Sequence, residues 1–350
     1  MTHKYLFFDD YSEGAHPRIL EALQKTNLQQ EPGYVMDSFA LEATRLIREK
    51  FNVRDADVHF VASGTQANLC VLSAMLRPWE SVIAADSGHI NQHETGAIEA
   101  TGHKINVVPG KDGKVQPHEI QDMVEMHNFD QMVLPKAVYI SQSTELGTVY
   151  TTAELAALAA KCKEHGLYLY IDGARLGAAL ASQAGDLDPK TLASLVDVFY
   201  IGGTKNGALI GEAIVIINPQ LKNNFRFNLR QRGGLLAKGR AVSLQFQELF
   251  RDDLYFDIAR HANTLAQQLA AGIQAGGYQL LVDAPTNQVF PIFPNDLIER
   301  LQEDYGFHFW EKFDEHRSVV RLVTSWATKD SDVSDFLSAL GTQTNSAAAK

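Results

Sequence analysis

The chain has 350 residues, 45% of them apolar and 21% charged, with a formal net charge of −11; that is long for one core, so a large domain plus a smaller one is expected. An acidic chain without basic clusters argues against nucleic acid or anionic membrane as partner, and no apolar run approaches the ~20 residues of a membrane span. The N-terminus, with Asp9-Asp10, lacks the layout of a signal peptide, and two cysteines far apart in helical patterns, Cys70 and Cys162, suit core packing in a reducing compartment, so a cytoplasmic location is expected.

In chain order, residues 9–15 form an irregular polar stretch, and Pro17 opens a helix to about residue 25. Residues 29–37, with Pro32-Gly33, read as a loop, and a second helix follows to about Lys50. A short strand at 58–61 runs into Ser63-Gly64-Thr65-Gln66-Ala67-Asn68, then Leu69, Leu72 and Leu76 at helical spacing. Strand, glycine turn and helix point free N–H groups and the positive dipole end at one spot, a geometry that binds phosphate; an ordinary capped turn has the same pattern. Residues 81–85 are a strand, with His89 just past its C-terminal end and a helical stretch carrying Glu94 and Gly96 after it. Ligands of open α/β sheets bind at the carboxyl ends of strands. A histidine there stacks on a planar cofactor or moves protons, unless it is a solvated loop residue. Further strands at 104–108 and 136–141 follow, and Glu145 again lies past a strand's C-terminal end. An amphipathic helix at 152–165 leads to a strand at 167–171 that ends in Asp172-Gly173-Ala174-Arg175. A carboxylate at the end of a buried strand needs a cation, and a protonated pyridine nitrogen is one. The plainer alternatives are a helix N-cap for Asp172 and a surface ion pair for Arg175.

The apolar run at 198–201 breaks at Gly202-Gly203, Thr204 and Lys205 follow, and a second apolar run covers 213–217. A lysine between two buried strands is costly, and burial lowers its pKa. A neutral lysine amine forms a Schiff base with an aldehyde such as pyridoxal phosphate; a lysine on an exposed hairpin turn has the same sequence. Alternating strands and helices through residue 217 indicate a mostly parallel sheet covered on both faces. Residues 226–240 are basic, include Gly233-Gly234 and Lys238, and form either a solvated face or a phosphate contact in a neighbouring subunit. The helical pattern then runs unbroken from 242 to 275. The boundary falls within it, giving a large domain at 1–250 with its N-terminal segment 1–15, a small domain at 251–341, and a flexible tail at 342–350. The small domain alternates strands at 280–282, 288–293 and 319–323 with helices at 296–304 and 331–340. Arg321, inside an apolar strand, needs an anion: a substrate carboxylate held bidentately, or an internal salt bridge.

These motifs together resemble the fold-type I pyridoxal-phosphate enzymes, and specifically the low-specificity L-threonine aldolases of the β-eliminating lyase group. The likeness rests on Asp10-Tyr11-Ser12, Ser63 to Asn68, His89 with Glu94, Ser143 to Tyr150, Asp172 to Arg175, Gly202 to Gly207 and Arg321 to Trp326. It departs at Tyr34-Val35-Met36-Asp37, where the family has glycine and an acid after the tyrosine, and at Glu145, where many members have histidine. The resemblance implies a transferase-like α/β fold, a large domain with a mostly parallel sheet plus a small C-terminal α/β domain. It implies pyridoxal 5′-phosphate as cofactor, no metal, and a homodimer or homotetramer. It implies cleavage of a β-hydroxy-α-amino acid such as L-threonine to glycine and an aldehyde, with β-elimination at Cα or a non-catalytic binding protein as alternatives. Lys205 then carries the cofactor, Asp172 pairs with its pyridine nitrogen, and His89 stacks on its ring. Ser63, Gly64, Thr65 and Thr204 cradle the phosphate, joined by Lys238. Arg175 and Arg321, with Ser12, surround the substrate carboxylate, and Tyr34 reaches across a subunit interface. The base for the β-hydroxyl proton is His89 or Glu145, both just past strand ends; with His89 holding the ring, Glu145 is expected to relay the proton through a water.

Overall fold

The computed structural model describes residues 3–341; the tail expected at 342–350 lies outside them. β1 (Tyr5–Leu6) precedes α1 (Pro17–Thr26), which Pro17 opens, and α2 (Ser38–Phe51), whose cap Asp37 accepts from the amide of Ala40. β2 (Asp57–Val61) leads into α3 (Gly64–Met75). Next come β3 (Glu80–Ala85), the single-turn α4 (His89–Gln92), β4 (Ile105–Val108) and α5 (Pro117–Met126). β5 (Leu134–Ser141), α6 (Thr152–His165), β6 (Tyr168–Asp172), α7 (Leu176–Leu180) and α8 (Pro189–Leu195) follow. β7 (Val198–Gly202) and β8 (Glu212–Ile216) close the sheet, before α9 (Phe225–Gln231), α10 (Arg240–Phe250) and α11 (Leu254–Ala275). The C-terminal part holds β9 (Gln279–Leu280), β10 (Gln288–Val289), β11 (Pro291–Pro294), α12 (Asn295–Gln302), β12 (Tyr305–Gly306), β13 (His308–Lys312), β14 (Arg317–Val323) and α13 (Asp330–Gly341).

The large sheet has the order β2-β8-β7-β6-β5-β3-β4. β4, β3, β5, β6 and β7 are parallel, whereas β8 runs antiparallel to both β7 and β2. The expectation of a mostly parallel sheet is met. β7 is buried along its whole length, and its side chains alternate between two cores. Phe199 and Ile201 pack with Phe60, Val215 and Phe246 on one face; Tyr200 packs with Val71, Tyr139 and Tyr170 on the other. The parallel strands therefore deliver their C-terminal ends, and the residues just beyond, to one edge.

Two expectations change. The helical pattern from 242 to 275 breaks at Asp252 and Asp253, which adopt left-handed φ values of 56° and 57°. Aspartate tolerates that region better than most residues, and ion pairs from Arg18 to Asp252 and Lys50 to Asp253 hold the break. The N-terminal segment, expected with the large domain, pairs instead with the small one: β1 runs parallel to β12, and Phe7 is buried in the small core. α11 serves both units, giving Tyr255 and Phe256 to the large core and Leu265, Leu269 and Ile273 to the small one. Among the described residues, no helix is long and apolar enough to cross a membrane.

The ends of β6 and β7 meet backbone against backbone. The amide of Gly202 donates to Gly173 O at 2.8 Å, and a Cβ at Gly173 would lie 1.9 Å from Tyr200 O. Gly173→Ala is therefore expected to destabilise the protein by roughly 3 kcal/mol or more, lowering the thermal midpoint by roughly 6–12 °C. Gly14→Ala, which meets nothing within 4 Å, is the control, and equal midpoints for both variants would show that the close approach is relaxed at no cost.

Candidate active site

Two cavities of about 450 and 680 Å³ share Tyr11, His89, Glu145, Arg175 and Lys205 and so form one cleft at the carboxyl edge of the sheet. The inner part is lined by Ser63, Gly64, Thr65, Asp172, Thr204 and Glu212. The outer part reaches the small domain at His308, Trp310 and Arg321.

Asp172 ends β6 as a buried carboxylate and is fully engaged. Oδ1 accepts from Tyr200 Oη at 2.5 Å and from the amide of Ala174 at 3.0 Å. Oδ2 accepts from Tyr139 Oη at 2.7 Å and Asn68 Nδ2 at 3.1 Å. Burial pushes its pKa up, but the His89 charge and these donors outweigh it, and the group stays below the ordinary aspartate value as an anion.

Asn68 also donates to Glu94 Oε1 at 2.7 Å, and the same oxygen meets His89 Nδ1 at 2.8 Å. Burial pulls the His89 pKa down, while the Glu94 hydrogen bond and the Asp172 charge push it up and prevail. The amide of His89 donates to Glu145 Oε1 at 2.8 Å, and Ser141 Oγ donates to the same oxygen at 2.6 Å. Burial raises the Glu145 pKa above the ordinary carboxylate value against these hydrogen bonds. A single chain of contacts thus links Asp172, Asn68, Glu94, His89 and Glu145.

Lys205 lies between β7 and β8 and faces the cleft. Among the described residues its amine has no hydrogen-bond or ion-pair partner; the Tyr11 ring centroid lies 5.8 Å away. Burial, reinforced by Arg175, lowers its pKa against the opposing charges of Asp10, Asp172 and Glu212. Glu212, which opens β8, accepts from the amide of Gly203 at 2.8 Å, and burial pushes its pKa up to about 8. At the head of α3, Ser63 caps the amide of Gln66, and no described residue accepts from the amides of Gly64 or Thr65. The cleft therefore offers an anion site at a helix terminus, an anionic carboxylate on its floor and an unpartnered amine.

Both arginines are already paired. Arg175 donates through Nε and Nη2 to Asp10 at 2.7 and 3.1 Å. Arg321 Nη2 donates to Asp9 at 2.9 Å and to Phe8 O at 3.1 Å, while its buried Nε has no partner among the described residues. Three expected residues lie away from the cleft of their own chain. Ser12 is exposed and bonds Asp9 O at 3.4 Å. Tyr34 is 42% exposed beneath the Arg230 guanidinium, 4.7 Å from its ring. Lys238 lines a separate groove with Gln29 to Gly33. The sequence reading gave Asn68 no role beyond its place in the Ser63 to Asn68 run and passed over Tyr139 and Tyr200, which look like interior positions of apolar strands. It also passed over Glu212, whose charge at the start of an apolar strand was a visible signal.

The sequence pattern of the β-eliminating lyases matches residues 16–294. The low-specificity L-threonine aldolase of Pseudomonas aeruginosa is 32% identical over 329 residues, 93% of this chain and 94% of that protein. The structure of a threonine aldolase from Leishmania major superposes with a TM-score of 0.95 at 46% identity, covering 96% of this chain and 98% of that one. An aspartate aminotransferase of Thermus thermophilus shares the fold, with a TM-score of 0.72 at 16% identity over 96% and 90%.

Replacing Glu94 by Gln removes the carboxylate that raises the His89 pKa and leaves burial unopposed by it. The imidazole, followed by NMR titration, is expected to titrate at lower pH in Glu94→Gln than in the parent. An unchanged titration would show that Glu94 does not set its charge.

Proposed function

The chain belongs to the β-eliminating lyase family, whose chemistry depends on pyridoxal 5′-phosphate, and on that premise we propose that it cleaves a β-hydroxy-α-amino acid such as L-threonine to glycine and an aldehyde. The observation that carries this reading is the unpartnered Lys205 amine, in one cleft with the Asp172 carboxylate and the open amides of α3. These residues fit the cofactor. A Cβ at Gly64 would lie 2.8 Å from Tyr200 Oη, and Ser143 Oγ is a buried hydroxyl without a partner on the cavity wall. When bound, pyridoxal phosphate supplies a sink for the electron pair left at Cα when a bond there breaks.

The chain's own residues do the rest. Ser63, Gly64, Thr65 and Thr204 hold the phosphate, and Lys205 provides the amine for the aldehyde carbon. Asp172, kept ionised by its donors, holds a proton on the pyridine nitrogen. His89, fixed by Glu94, covers the ring. Arg321 anchors the substrate carboxylate, and Arg175 adds the nitrogen that Asp10 leaves open. Glu145 removes the β-hydroxyl proton, directly or through one water, and the β carbon leaves as an aldehyde; a proton returned to Cα completes glycine. Its raised pKa makes it a stronger base than an ordinary carboxylate, but a base only above that pKa.

Tyr34, Lys238 and Ser12 find no cleft in their own chain, and this supports a homodimer or homotetramer. Tyr34 lines a surface hollow with the exposed Phe227 and with Leu235, between Arg226 and Arg230. Arg226, Arg230, Arg232, Arg240 and Lys238 meet no carboxylate at ion-pair distance among the described residues; the four arginines bond carbonyls and a hydroxyl instead. In this assembly Tyr34 and Lys238 reach a neighbour's cleft. A cytoplasmic location belongs to the same reading, supported by the buried free thiols of Cys70 and Cys162.

A panel of β-hydroxy amino acids assayed for released glycine tests the activity. L-Threonine is expected to release it, Lys205→Ala to lose both release and borohydride-fixable cofactor, and Glu145→Gln to keep the cofactor spectrum while losing ~10²–10⁴-fold in kcat. The acid limb of kcat/KM is expected above the ordinary carboxylate range and to vanish in Glu145→Gln. Turnover of cysteine or serine without glycine from any β-hydroxy amino acid would replace the aldol reading by elimination. For the assembly, sedimentation is expected to give a dimer or tetramer at assay concentration, and Phe227→Asp to weaken it; a fully active monomer would end that part of the reading.

A further inference from the structure

The two arginines of the outer cleft are met by adjacent carboxylates of the N-terminal strap, and the two contacts differ in kind. Asp10 is sealed: its side chain is 1% exposed, it takes Nε and Nη2 of Arg175 together, and Asn287 Nδ2 donates to it at 2.9 Å. Asp9 is held loosely. It lines the cleft, with 17% of its side chain exposed, and takes only Nη2 of Arg321, at 2.9 Å. His308 Nε2 adds a long contact to the same oxygen at 3.3 Å. The neighbouring Nε of Arg321 is buried and has no partner among the described residues.

A carboxylate bound bidentately takes two adjacent guanidinium nitrogens. On this edge of Arg321 those are Nε, which is open, and Nη2, which Asp9 occupies. The four strap and arginine charges also sum to zero, so these groups together offer an arriving carboxylate no net positive charge while Asp9 stays in place.

We propose that Asp9 is a specificity-determining residue that competes with the substrate carboxylate for Arg321. In the free protein it holds Nη2; when an amino acid binds, Asp9 yields that nitrogen, and the substrate carboxylate spans Nε and Nη2. The displaced Asp9 remains at the cleft wall as an anion, so the site selects monocarboxylic amino acids with uncharged side chains and disfavours a second carboxylate. The inference rests on the reading of Arg321 as the carboxylate anchor.

The test is binding, followed by the absorbance of the cofactor-loaded protein titrated with glycine and with L-aspartate. Asp9→Asn keeps the shape and removes the charge. It is expected to lower the dissociation constant of glycine about tenfold, the scale of one partly buried charge contact, and that of aspartate by a larger factor. Asp9→Ser removes the same charge with a smaller side chain and carries the same expectation. Asp9→Glu, which keeps the charge, is expected to bind glycine no more tightly than the parent. Unchanged or weaker glycine binding in both neutral variants overturns the proposal, as does tightening in Asp9→Glu. Glycine release from threonine enters none of these outcomes. A protein that shows this binding pattern but cleaves no β-hydroxy amino acid would refute the proposed activity and leave the competition by Asp9 standing.

Discussion

The site is built around one buried charge. Asp172 sits at the end of β6, where an unpaired carboxylate would be prohibitively costly, and the fold meets that cost with four donors from four places. Tyr139 comes from β5, Tyr200 from β7, Asn68 from α3 and the Ala174 amide from the turn that follows. These donors fix the relative placement of three neighbouring strands and the helix α3. Removing one would leave a buried acceptor short of a partner, at about 1–3 kcal/mol. The same network continues from Asn68 through Glu94 to His89 and Glu145. The group proposed to hold the ring nitrogen, the group proposed to cover the ring and the candidate base are therefore one mechanical and electrostatic unit.

Charge around the cleft is graded. The floor holds an anion that resists protonation, and the wall holds an amine with a depressed pKa. Burial raises both Glu212, to about 8, and Glu145 above the ordinary carboxylate value, which makes each a better proton acceptor than a solvated carboxylate. The outer cleft carries two arginines balanced by two aspartates from a strap that belongs physically to the small domain. A change in the angle between the domains would move that strap and the Arg321 strand together, because β1 and β14 share one core.

Much of the cleft was legible in the sequence because parallel strands end in recognisable ways. Apolar runs that stop at glycine or a polar residue placed Gly64, His89, Glu145, Asp172 and Lys205 at the carboxyl edge, and the structure brings these five into one cleft. The residues that organise them were hidden. Tyr139, Tyr200 and Asn68 occupy interior-facing positions whose apolar neighbours make them read as core. The N-terminal strap was hidden for another reason: Asp9 meets Arg321 across more than three hundred residues, and no local pattern reports such a pairing. α5 went unread because it buries only Ile120, too thin a stripe to announce a helix. β13 went unread because it is half-exposed to exposed throughout. The break at Asp252-Asp253 carries no glycine or proline to mark it, so the sequence around it reads as continuous helix.

The account stands on Asp172 remaining an anion that keeps a proton on the pyridine nitrogen. The most direct measurement is the nitrogen chemical shift of ¹⁵N-labelled pyridoxal phosphate in the reconstituted protein. The expected result is a protonated nitrogen throughout the neutral pH range, lost in Asp172→Asn. A neutral pyridine nitrogen in the parent protein would contradict the central claim.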